Sequence, residues 1–126
     1  MKKVVLLFIL SLILFANHVN WLGNYDKALK IAKKEHKPIL VLLVKNSCKE
    51  CKDIIRKYFS NKSYIDKINK DYICVILNYD IGNYPNELIY SNTFPALFIL
   101  NSKNEIFLTK PIYNKDIKEF LKNKFY

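Results

Sequence analysis

Cys48 and Cys51 are the residues of this chain whose type and spacing can do chemistry. They lie two residues apart in Lys45 to Phe59, KNSCKECKDIIRKYF, where an apolar run ends and a helical pattern begins. A thiol pair at this spacing can interconvert with a disulfide, and the thiolate is its reactive form. A thiol at the start of a helix meets free backbone N–H groups and the positive end of the helix dipole, and both favour an anion. Cys48 is therefore expected to be the more acidic and more exposed thiol, with Cys51 beginning the buried stripe. As a structural staple the pair would close a loop too small to constrain the unfolded chain. As half of a zinc site it would need about four ligands in all. Only Cys74, His18 and His36 remain, without paired spacing, so no metal is expected, and a site of Cys48, Cys51 and His36 is the weakest reading.

The elements around the pair follow from hydrophobic periodicity. Ile39 to Val44, ILVLLV, is a short β-branched apolar block and reads as a buried strand. Cys51, Ile54, Ile55, Tyr58 and Phe59 then recur on one helical face, so a helix is expected over 49–59. Upstream, Trp21 and Leu22 are expected to pack on the domain. Asn24 caps a helix over 25–36 with Ala28, Leu29 and Ala32 inward, and Pro38 ends it. Downstream, Ser63 with Asp66 resembles a capping box for a short helix to about Asn69. A second buried strand is expected over 72–79, with Cys74 as a small core side chain. Pro85 suits the first turn of a short helix to Tyr90. Ala96 to Leu100 reads as a third strand, 105–109 as the return strand of a hairpin, and Asn114 as the cap of a last helix over 115–124. The first two strands need a crossover and should be parallel, and the last two should be antiparallel. Helices on both faces of a small mixed sheet make an α/β fold.

The N-terminus carries a different signal. Met1-Lys2-Lys3 followed by the apolar run Val4 to Ala16 has the form of a secretory signal, shorter than a bilayer span. Residues 1–16 are expected to be either a cleaved signal or an uncleaved anchor. Residues 17–126 are then one domain in a periplasmic or other extracytoplasmic compartment. The formal charge of +10 is two lower without Lys2 and Lys3, and it is mostly lysine spread over helix exteriors. No basic-aromatic motif is present, so nucleic acid is not an expected partner. No GxGxxG or other nucleotide motif is present, so no bound cofactor is expected.

The strand–CxxC–helix unit at Val41 to Phe59, the tripeptide Thr93-Phe94-Pro95 before a strand, and the closing hairpin and helix together resemble the thioredoxin-like family, in particular its small exported members. The resemblance covers nearly all of residues 20 to 125. It implies a thioredoxin-like central mixed sheet of four to five strands flanked by helices on both faces. It also implies a thiol–disulfide oxidoreductase in which Cys48 attacks a substrate disulfide and Cys51 resolves the mixed disulfide. Pro95 would be cis and lie beside the cysteines, and Phe94 would offer its backbone to a bound peptide. The chain departs from typical thioredoxins where those carry Trp before the first cysteine and Gly-Pro between the two. Here Ser47 and Lys49-Glu50 stand at those places, and Lys49 favours a thiolate where Glu50 opposes it. The family's buried acid six residues before the first cysteine is replaced by Leu42. Expected partners are the thiols and disulfides of exported proteins and a membrane-delivered dithiol reductant, with the chain itself a monomer. The alternative is a non-catalytic thioredoxin-like module that binds a peptide or partner, a reading that gains from Leu42.

Overall fold

The structure, a computed structural model, describes residues 18–125. The expected export segment, 1–16, lies outside them. Four helices and four strands follow in the order α1 (Tyr25–Glu35), β1 (Ile39–Val44), α2 (Lys49–Lys57), α3 (Lys62–Asp71), β2 (Ile73–Asn78), β3 (Ala96–Leu100), β4 (Ile112–Tyr113) and α4 (Asp116–Phe125). The sheet order is β2-β1-β3-β4. β1 pairs parallel with β2, Val41 opposite Val75, and antiparallel with β3, Leu43 opposite Ala96. The fold is the expected mixed α/β sheet with helices on both faces.

Alternation along β1 builds two cores at once, because successive side chains point to opposite faces. Leu40 and Leu42 pack with Ile54, Ile65, Ile68, Leu97 and Ile117 under α2, α3 and α4. Ile39, Val41 and Leu43 pack with Ala28, Ala32, Val75 and Phe98 under α1. The alanines of α1 let that helix lie close on the sheet. Asn24 caps it, accepting the Lys27 N–H at 2.9 Å, and His36 ends it in the left-handed region at φ 56°. Trp21 meets Phe59 edge-on at 5.2 Å, and Leu22 bridges to Val75, so the lead-in packs as expected.

Several local expectations are corrected. The cap of α3 is Asn61, whose Oδ1 accepts from the Ser63 N–H and hydroxyl; the Ser63–Asp66 box does not form. Residues 85–90 make a single turn closed by the Leu88 and Ile89 N–H groups on the Pro85 carbonyl, too short for a helix. The return strand is not 105–109. That segment leaves one bridge, Phe107 to Leu100, and the ladder resumes at β4 after Pro111. Glu105 has φ 57°, which twists the chain off the strand path, and Pro111 lacks the N–H a ladder needs. Asn114 is in the left-handed region at φ 49°, and it is its carbonyl that accepts the Ile117 N–H. Leu42, Phe59, Leu97 and Ile99 are buried, and Ile55, Ile76 and Phe120 only partly so. Ile117, Leu121 and Phe125 make the apolar stripe of α4.

Candidate active site

β1 ends at Val44, and the next three residues carry the chain to the first cysteine. The loop Lys45–Ser47 is pinned to the end of β2 by polar side chains. The Asp80 carboxylate accepts the Asn46 N–H at 2.7 Å. Asn78 donates from Nδ2 to Asn46 Oδ1 at 3.0 Å, and its own Oδ1 accepts the Asp80 N–H at 2.8 Å. The Tyr79 N–H reaches the Val44 carbonyl at 2.8 Å. Ser47, at φ 52°, turns the backbone into the helix.

Cys48 is the N-cap of α2. Its backbone is extended, at φ −111° and ψ 103°, and its Sγ accepts the Cys51 N–H at 3.1 Å. Sulfur occupies the place that a hydroxyl or carboxylate oxygen usually takes at a helix start. Cys48 and Cys51 are joined as a disulfide, their Cα atoms 5.3 Å apart. The expectation that Cys48 is the more exposed of the two is corrected: each is 3% exposed. In the oxidised pair each sulfur shields the other against the first turn of α2. Lys49 and Glu50 are exposed on that turn. Leu42 is fully buried, so β1 offers no carboxyl group from that position.

The Phe94–Pro95 peptide bond is cis. Because Leu43 pairs with Ala96, Pro95 falls at the end of the sheet where β1 stops, level with the loop to Cys48. Side chains tie the two segments together. Lys45 Nζ lies 5.2 Å from the centroid of the Phe94 ring, and the Tyr79 ring is 5.2 Å from the same ring. Ser91 shapes the approach, its hydroxyl donating to the Thr93 carbonyl at 2.5 Å and accepting the Thr93 N–H at 3.0 Å. The Pro95 carbonyl is taken by the Asn114 N–H at 2.9 Å. The N–H and C=O of Phe94 have no partner among the described residues.

The third cysteine is elsewhere. Cys74 is buried in β2, and desolvation pushes its thiol up from 9.0 to about 12. His36 caps α1 at the opposite end of β1 from Cys48, and among the described residues no three metal-ligating side chains come together. Sequence reasoning overlooked Lys45, Asn46, Asn78, Tyr79, Asp80 and Ser91. Asn78 and Asp80 straddle a strand end, and Ser91 opens a turn. Both are positions where short polar side chains bond nearby backbone, and that was the signal available.

The family model described as thioredoxin-like matches residues 20–102. No curated protein sequence matches the chain. Among solved structures, a DsbH oxidoreductase superposes with a TM-score of 0.66 at 15% identity, over 85% of this chain and 87% of that one. A thioredoxin from Thermus thermophilus gives 0.65 at 17% identity, over 84% of each chain. The thioredoxin of Trichomonas vaginalis gives 0.57 at 18%, over 86% of this chain and 95% of that one. At these identities the likeness speaks for the fold, and the family match speaks for the lineage. The chain belongs to the thioredoxin-like family, and it carries a Cys48–Cys51 disulfide at the start of α2.

Proposed function

We propose that the protein is an exported enzyme that exchanges disulfides with the cysteines of other exported proteins. One observation carries the reading: the Cys48–Cys51 disulfide sits at the start of α2 with the Cys51 N–H aimed at Cys48 Sγ. In the reduced protein the same N–H and the helix dipole stabilise a Cys48 thiolate. That thiolate attacks one sulfur of a client disulfide, forming a mixed disulfide and releasing the client's other sulfur as a thiolate. Cys51 loses its proton and attacks Cys48 Sγ, which frees the second client sulfur and closes the Cys48–Cys51 bond. Two electrons pass to the client. With Leu42 in place of an acid, the Cys51 proton leaves to solvent or to Glu50.

Phe94 and Pro95 form the peptide edge in this reading. The free N–H and C=O of Phe94 suit a client chain added in extended form, as an extra strand would be. Lys49 and Glu50 flank the reactive sulfur and tune it in opposite senses. Residues 1–16 direct the chain out of the cytoplasm, as a cleaved signal or as an anchor. Regeneration of the dithiol then falls to a membrane-delivered dithiol donor.

The test is reduction of a protein disulfide by the reduced chain, with wild type beside Cys48→Ser. Turnover lost in Cys48→Ser is the expected result. Equal background rates would overturn the enzyme reading in favour of a peptide-binding module. Fractionation of cells producing the full chain tests export, and recovery in the cytoplasm would overturn that part.

A further inference from the structure

We infer that Lys45 selects clients that carry an acidic side chain beside the reacting cysteine, an inference that rests on the exchange proposed above. Lys45 follows β1 directly and stands three residues before Cys48. It is exposed, and its ammonium lies 5.2 Å from the Phe94 ring centroid, on the residue that precedes Pro95. One cation is thus held on the ring of Phe94, the residue with the free backbone edge, from the loop that leads to Cys48. A client strand laid along that edge, with its own cysteine at Cys48 Sγ, passes within reach of it.

Lys45 makes no ion pair among the described residues. The ion pair among the described residues joins Arg56 to Asp53, on α2. Asp80, the acid of the neighbouring loop, keeps its charge but is held by the Asn46 N–H rather than paired with Lys45. Glu50 is the acid of the first turn of α2, and it lies between Lys49 and Lys52. Most lysines of this chain are long tethers free in solvent. Lys45 and Lys118 differ because their head groups rest on aromatic faces, of Phe94 and Tyr58, which orients them and removes part of their hydration shells. Of the two it is Lys45 that sits on the residue before Pro95. A cation held in one place discriminates between clients, whereas a diffuse positive surface attracts them all. Complementary charge acts chiefly on encounter and specificity, and salt screens it.

The experiment uses the reduced full chain and two cyclic peptides, each closed by an internal disulfide. The peptides are identical except for Asp or Lys next to the first cysteine. Two electrons move from the Cys48–Cys51 dithiol to the peptide, so the second-order rate of protein oxidation reports each reaction. The Asp peptide is expected to react about five- to tenfold faster at low salt, a preference that shrinks at high salt. Lys45→Gln brings the ratio near one, Lys45→Glu inverts it, and Lys103→Gln, in the turn after β3, leaves it unchanged. Taking the ratio removes any effect of the substitution on the thiol itself, which both peptides share. A ratio of one in wild type, or one that survives Lys45→Gln, overturns the selection while leaving the exchange standing. Reaction with neither peptide overturns the exchange and the selection with it.

Discussion

Cys48 stands at the start of α2 and Cys74 inside β2, and the two side chains are nearly equally hidden, 3% and 2% exposed. Their surroundings are opposite in kind. Around Cys74 is apolar core, with Tyr72 and the far charge of Lys37, and desolvation pushes its thiol to about 12. Beside Cys48 is the end of a helix, with a backbone N–H 3.1 Å from the sulfur. Accessible area therefore does not tell the sulfur at the helix start from the thiol in the core. What separates them is the supply of hydrogen-bond donors and dipole to the charged form. The two also differ in support. Cys74 is held by strand pairing on β1, while Cys48 hangs on a short loop fastened by Asp80, Asn46 and Asn78.

That contrast can be broken most sharply at the site itself. Cys48→Ser should reduce disulfide exchange to background, a loss of at least about a thousandfold measured with a protein disulfide substrate. Cys51→Ser should accumulate a mixed disulfide between Cys48 and a client, seen as a thiol-sensitive band of higher mass. Cys74→Ala should do neither. A client trapped on Cys74 would invert the assignment of roles. Alkylation of the reduced chain at neutral pH, read by mass spectrometry, should mark Cys48 first and Cys74 only after unfolding.

The loop comes next in size. Asp80→Ala frees the Asn46 N–H and should slow exchange several-fold, with a stability loss of about 1 kcal/mol in a denaturant titration. Unchanged exchange would mean that the turn at Ser47 holds the loop without Asp80.

The smallest effect concerns pH. The Cys74 thiol is raised in the folded chain, from 9.0 to about 12. Its protonation favours the fold fully below pH 9.0, and that contribution is lost as pH climbs toward about 12. Cys74→Ala should cost about 1 kcal/mol at neutral pH and decline less steeply through the alkaline window. Equal slopes in thermal melts of the two proteins would show that burial at Cys74 does not shift its proton equilibrium.

Much of this was legible in the chain. The blocks Ile39–Val44, Tyr72–Leu77 and Ala96–Leu100 are short apolar runs rich in branched side chains, and that composition marks them as buried strands. Cys48 at a helix start followed from the change of period between Val44 and Ile54. Those signals are local, because side-chain spacing along one segment reports the face it buries. The failures were of another kind. The 105–109 segment has a strand's composition, yet the left-handed Glu105, its Oε1 accepting the Tyr25 hydroxyl at 2.8 Å, and Pro111 move the ladder on to Ile112–Tyr113. Equal burial of Cys48 and Cys51 depends on the bond between them and on what packs over it.

By itself, then, the sequence determined three of the sheet's strands, the helices around them and the cysteine pair at a helix start. Only the tertiary structure decided that Lys45, Tyr79, Asp80 and Phe94 gather beside that pair. They come from three segments far apart in the chain, and they meet because β2 and β3 both pair with β1 and so bring their loops to one end of the sheet. Strand register sets those distances. It is fixed by two cores packing at once against opposite faces of β1, a condition that no single segment carries in its own residues.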